Sequence, residues 1–286
     1  MTANVGRSLW ADAWLRLWRD RLAMASLCVI VLYSVVALLA LAGWIAPWKE
    51  VVGGSYQPPS GDSLATFFGT DLFGRSVFYK TIHGTRIAMS VGLVSSLISV
   101  PIGVVLGAVA GYFGKWVDDV VVWLYTTLSS IPNIMLLIAI AFVLGKGIFS
   151  IYIALGVTAW VSLARVIRGE FIKHKEREYV VAAEGLGAGH FSRIVKHILP
   201  NVFHFVIIHL SIQFMAAIKA EVILSFLGLG VQGQPSWGVM IDDAKLELAR
   251  GVWWQLAGAT FGMFFVVLAF NVLGDALRDA LDPKVK

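Results

Sequence analysis

Two ionisable residues, Lys219 and Glu221, interrupt an apolar run from Val202 to Ile223. In lipid such a charge costs at least about 2.5 kcal/mol at the bilayer centre, so it normally faces protein or water. Two positions apart on a helix, they point about 200° away from each other and do not pair. Lys219 has the reach to snorkel to headgroups. Glu221 does not, which turns it towards a bundle interior, a loop or a water-filled path. Catalytic arrangements are missing elsewhere. Gly145-Lys146-Gly147 lacks the rest of a phosphate loop. The six histidines form no His-Glu-x-x-His, and with Cys28 as the lone cysteine no zinc site arises by spacing. There is no Gly-x-Ser-x-Gly elbow. Asp118 and Asp119 are adjacent and point different ways. The residue types favour transport or binding over catalysis, with no cofactor held by this chain.

Two glycine-rich segments could act on partners. Between Arg168 and Asn201, two amphipathic pieces meet at Gly185, Gly187 and Gly189. The second carries Phe191, Ile194, Val195, Ile198 and Leu199 at helical spacing opposite Arg193 and Lys196, and Pro200 is expected to stop it. Such a pair can dock into another protein's groove or rest on lipid, and the residues alone leave both open. The other segment, Gly69-Thr70-Asp71-Leu72-Phe73-Gly74-Arg75, sets two glycines around an Asp and an Arg. A turn closed by charge-assisted bonds is the expectation. A third segment, Gly228 to Val252, turns at Pro235 and continues through Trp237, in the manner of a pore loop or a short re-entrant element.

Positioning these residues requires a membrane. Of 286 residues, 58% are apolar and 14% charged, against about 45–50% and about 25% in soluble domains. A span needs about 20 apolar residues. Six stretches come near that length: 22–44, 87–111, 117–144, 148–164, 202–223 and 253–273. Pro132 should kink the third. Gly103, Gly107 and Gly111 lay a groove on the second, where another backbone can approach. Residues 1–21, with Trp10, Trp14 and Trp18 among charges, suggest an interfacial amphipathic helix. A long loop covers 45–86, and 276–286 form a tail in which Arg278 can pair with Asp275 and Asp282. With both termini cytoplasmic, fifteen Lys and Arg fall inside and seven outside, among them Arg7, Lys284 and Lys286 inside. The net charge of +5 is then explained by the anionic inner leaflet, without a nucleic acid partner. A channel or ion-coupled transporter using Glu221 is open on these grounds.

Ala182-Ala183-Glu184-Gly185-Leu186-Gly187 followed by His197-Ile198-Leu199-Pro200 resembles the permease loop of ATP-binding-cassette importers. Val181 stands where that family often has Glu. Gly69 to Arg75, Gly84 to Gly92, Leu224 to Gly230, Pro235 to Gly238 and Asn271 to Pro283 are similar to the dipeptide/oligopeptide/nickel permeases, in the order of their second, C-type subunit. Ser76 replaces a common Asp.

The resemblance implies an all-α membrane protein of six transmembrane helices with the type I importer permease fold, in a bacterial inner membrane. Residues 87–275 would form the permease domain and 168–201 its coupling loop, with Ala182, Ala183, Gly185, Gly187, Gly189, Leu199 and Pro200 at the ATPase contact. Glu221, Ser225 and Trp237 are candidates for a translocation path or outer gate, and Gly69, Thr70, Asp71, Gly74 and Arg75 for an extracytoplasmic motif. Implied partners are a second homologous permease, two ATPase subunits that bind ATP and Mg, an extracytoplasmic peptide-binding protein and the bilayer. Implied cargo is di- or oligopeptide, or alternatively glutathione or nickel.

Overall fold

A computed structural model describes residues 9–281. Arg7, Asp282, Lys284 and Lys286, and the side chain of Trp10, lie outside the described residues, and with them the pairing expected of Asp282. Helix α1 (Leu9–Arg19) leads into α2 (Arg21–Leu41) across Asp20, whose carboxylate accepts from Leu22 N at 2.9 Å and Ala23 N at 3.2 Å. This side-chain cap takes up donors that α2 cannot satisfy internally. Trp14 and Trp18 are exposed on α1 and Leu17 is buried, an amphipathic arrangement.

Helix α3 (Val77–Phe113) starts ten residues ahead of the expected span, capped by Ser76. Its 37 residues rise about 55 Å, so the last part of the expected loop is the first part of a long helix. The expected third span is two helices, α4 (Lys115–Ser129) and α5 (Asn133–Leu144), bent by 87° at Ser130-Ile131-Pro132. The proline ring of Pro132 disfavours the helical region at Ile131, and the break is far sharper than a kink. Next, α6 (Ile148–Thr158) and α7 (Trp160–His174) run as one apolar stretch to His174. Five helical stretches among the described residues are long and apolar enough to cross a membrane, or six with α4–α5 counted as one.

After α8 (Glu178–Gly185), a short α9 (His190–Ser192) passes through a π-helical turn, Arg193–Ile198, into α10 (Leu199–Phe226). Pro200 therefore does not end a helix. It sits in the first turn of α10, where its missing N–H costs little, and the wide π turn absorbs the lost bond. That turn also breaks the 3.6 period on which the expected stripe rested. Arg193 turns inward, 8% exposed, while Phe191 turns out at 76%. Helices α11 (Trp237–Leu248) and α12 (Trp254–Leu281) close the chain.

The bundle is built around α3. A Cβ on Gly103, Gly107 or Gly111 would meet the backbone oxygens of Trp160, Ala164 and Arg168 at 2.9, 2.6 and 2.5 Å. The four-residue steps of α3 thus match four-residue steps of α7, and only glycine permits the approach. Asp118 on α4 anchors the same α7 by accepting from Arg168 Nε at 2.5 Å and Nη2 at 2.6 Å, an arrangement suited to a guanidinium fork. Across the bundle, Tyr33 on α2 donates to Gly262 O on α12 at 2.9 Å. Large apolar side chains such as Leu38, Leu97, Phe142 and Phe264 point outward from these helices, as a lipid solvent requires.

Candidate functional site

Thr70 and Asp71 organise the segment ahead of α3. Gly69 and Gly74 both have φ +71°, and a Cβ there would meet Gln57 O at 2.6 Å and Gly53 O at 2.2 Å, so the turn needs glycine twice. Thr70 Oγ1 donates to Gly54 O at 2.7 Å and accepts from Gln57 N at 2.8 Å, while Trp254 Nε1 donates to Thr70 O at 2.8 Å. Asp71 Oδ1 accepts from Phe73 N at 2.8 Å and Arg75 N at 2.9 Å. Arg75 thus contributes its backbone amide. Its guanidinium lies over the Phe73 ring, 4.6 Å from the centroid.

The charge partner of Asp71 is a residue that spacing did not single out. Lys80 Nζ, at the start of α3, donates to Asp71 Oδ2 at 3.1 Å and to Gln255 Oε1 on α12 at 2.7 Å, and lies 3.7 Å from Asp243 on α11. The Lys80 and Asp71 side chains are 7% and 4% exposed. One turn beyond Asp243, Glu247 is buried with Oε2 unpartnered. Burial raises its pKa to about 7; Lys80 opposes the rise and the nearby Asp243 and Asp71 add to it. Burial also raises Asp243, with Lys80 opposing. A lysine in an apolar helix and two acids four apart on α11 were the available signals. One Lys thereby ties together the glycine turn, α3, α11 and α12.

Beside this hub, Asp71, Asp242, Asp243, Arg75, Lys146 and Ser225 line a cavity of about 340 Å³. Glu221 lies behind Ser225, fully buried, accepting from Ser225 Oγ at 2.6 Å with its second oxygen unpartnered. Lys219 is exposed on α10, so the two charges go separate ways. The turn after α10 presses on Ser225 so closely that a Cβ on Gly230 would fall 1.8 Å from its Oγ. Trp237 differs from the expectation of a path or gate residue. It is 1% exposed, its Nε1 donates to Thr81 O at 3.0 Å, and Gly84 and Gly262 make room for its ring. It locks α3, α11 and α12 together and lines neither this cavity nor the apolar one described below.

At the opposite end of α3, the glycine-hinged loop is tied down on one side and open on the other. Arg193 pairs with Glu184 at 2.6 Å, linking the π turn to α8, and its guanidinium lies over Tyr112. Tyr112 Oη and His190 Nδ1 are 2.9 Å apart. Ala183 is buried beneath, and Ala182, Gly185, Gly187 and Gly189 are exposed. Gly187, at φ +86°, ends α8 with its N–H donating to Glu184 O at 2.9 Å. Leu199 is half-buried against Ile198 and Val202, and Pro200 is exposed. The free side presents Leu186, 90% exposed, with Phe191 and Val181.

Residues 103–286 match the family described as "Binding-protein-dependent transport system inner membrane component", and residues 8–59 match the N-terminal TM domain of oligopeptide transport permease C. The chain belongs to this family of inner membrane transport components. It is a multi-pass inner membrane protein. Relatives of this permease extend over its whole length. The dipeptide transport system permease protein DppC of Bacillus subtilis is 40% identical over 279 residues, covering 96% of this chain and 86% of the relative. The oligopeptide transport system permease protein OppC of Haemophilus influenzae is 37% identical over 288 residues, covering 98% and 90%. The glutathione transport system permease protein GsiD of Pectobacterium atrosepticum is 32% identical over 282 residues, covering 98% and 93%. The hinged loop falls within the match to residues 103–286, whereas the Asp71–Lys80 turn lies between the two matched regions.

Proposed function

We propose that this permease is one of two different membrane subunits of an ATP-driven importer that brings di- and oligopeptides across the bacterial cytoplasmic membrane. The observation that carries the cargo is the full-length similarity to dipeptide and oligopeptide permeases; the similarity to a glutathione permease makes that tripeptide the alternative. Both termini are cytoplasmic, in keeping with the excess of Lys and Arg on that side. The glycine-hinged loop then faces the cytoplasm. Leu186, Phe191 and Val181 form its apolar contact with an ATPase subunit, and the Glu184–Arg193 and Tyr112–His190 links hold that contact rigid against α3. Rigidity matters because movement on ATP binding must be passed into the bundle rather than absorbed in a loop. Two ATPase subunits bind ATP and Mg, since this chain lacks a phosphate loop, and a peptide-binding protein delivers cargo to the Asp71–Lys80 end. Alternating access moves the cargo past Ser225 and Glu221.

Leu186→Asp tests the docking assignment. The expected result is a permease pair that inserts normally but does not retain its ATPase subunits on purification, with peptide uptake lost. Normal uptake by this variant refutes the docking face. Uptake that survives deletion of the ATPase subunits and collapses with an uncoupler refutes ATP coupling in favour of an ion-coupled carrier using Glu221.

A further inference from the structure

A second cavity, of about 540 Å³, opens on the outer face of the bundle between α2, α3 and α6. Its walls are almost wholly apolar, among them Ile30, Leu38, Leu93, Phe214 and Phe270. The mouth residues Leu38, Leu41 and Leu93 are 64%, 66% and 55% exposed, so it opens sideways, towards the surface that lipid wets. The hydroxyls of Ser34, Ser90 and Tyr152 in its wall are already spent on Ile30 O, Ile87 O and Ser90 Oγ. Arg86 is the exception. It lines the cavity at the end that carries the Asp71 turn, its Nη2 reaches Gln234 Oε1, and its Nε is buried with no acceptor. No carboxylate pairs with it among the described residues.

The dimensions fit one leaflet. From Leu41 to Ile30 the α2 wall descends about 16 Å, close to half of the roughly 30 Å hydrocarbon core. Leu41 ends α2 and Ile148 begins α6, so Arg86 stands at headgroup depth with the apolar walls running inward from it. The occupant must therefore be apolar along most of its length and carry an acceptor anion at one end. A packed helix from another subunit brings carbonyls already spent on its own hydrogen bonds. A peptide brings two charged ends, and the cavity offers only a cation.

We infer that this cavity is a binding site for a membrane phospholipid, whose acyl chain lies between α2 and α3 and whose phosphate is held by the Arg86 guanidinium. The inference rests on the membrane placement and not on the cargo or its energy source. Bound lipid would wedge α2 at a set distance from α6 and satisfy the orphaned Nε, as charge-assisted phosphate pairing does elsewhere.

The test is native mass spectrometry of the full chain, released with its permease partner from nanodiscs containing phosphatidylglycerol. Wild type should retain one phosphatidylglycerol per copy of this chain. Arg86→Gln should lower the retained fraction at least about ten-fold, the loss expected of one charge-assisted hydrogen bond. Ala37→Phe fills the cavity from α2 with Arg86 untouched and should lower it likewise, so the inference stands or falls even if Arg86→Gln does not fold. Equal retention by wild type and Ala37→Phe overturns the site. Capture of the second permease by a cross-linker on Ser34→Cys, in place of lipid, also overturns it and assigns the groove to a subunit helix.

Discussion

Replacing Lys80 with methionine probes the hub at the end of α3. The substitution keeps the apolar stem and removes the cation that pairs with Asp71 and acts on Asp243 and Glu247. Asp71 suffers most, since its side chain is 4% exposed and its Oδ2 accepts the hydrogen bond from Lys80 Nζ. Breaking a buried pair by removing one partner costs about 3–5 kcal/mol, because a charge is left buried without compensation. At about 2–4 °C per kcal/mol for a domain of comparable size, that is a fall of roughly 6–20 °C in melting temperature. The second substitution, Asp71→Asn, should restore much of it. The asparagine oxygen can still accept from the Phe73 and Arg75 amides, and the orphaned charge is gone. Half-exposed Asp243 can be hydrated. Thermal unfolding of the purified chain, followed by size-exclusion recovery, gives the four corners of a double-mutant cycle. A Lys80→Met variant within about 2 °C of wild type refutes the reasoning. So does a double variant no more stable than Lys80→Met alone.

Two other substitutions and one titration extend the test. Gly107→Ala should destabilise by about 1–3 kcal/mol, because its Cβ would lie 2.6 Å from Ala164 O and neither backbone can yield. Gly169→Ala, on α7 with nothing within 4 Å, should stabilise by up to about 1 kcal/mol through helix propensity; thermal recovery of the two variants must move in opposite directions. Glu247 holds its proton more tightly folded than unfolded, with a pKa near 7 against 4.5. Its contribution is therefore greatest below about pH 4.5 and is lost as pH rises through about 7. Melting temperature should fall between pH 5 and pH 8, and Glu247→Gln should flatten that slope.

The sequence by itself determined the solvent, the helical class and the close-packing seam. Composition requires lipid around the chain, apolar run lengths set the number of spans to within one, and glycines four apart on α3 announce a backbone-to-backbone contact. Glu221, too short to reach a headgroup, had to face inward, and it is fully buried. These outcomes depend on local quantities that periodicity and hydropathy record. Tertiary structure decided the rest. That Asp71 meets Lys80 and Gln255 rather than the Arg75 side chain depends on bringing α3 and α12 together, 175 residues apart for the Lys80–Gln255 bond. Trp237, which on its own suggests a gate, became a rivet because Gly84 and Gly262 open space for it from two other helices. Pro200 failed to break the helix because a π turn before it redistributes the hydrogen bonds, and the same turn rotated Arg193 inward and Phe191 out. Spacing along one chain cannot show such reassignments, because a side chain's partner is set by which helices share a boundary.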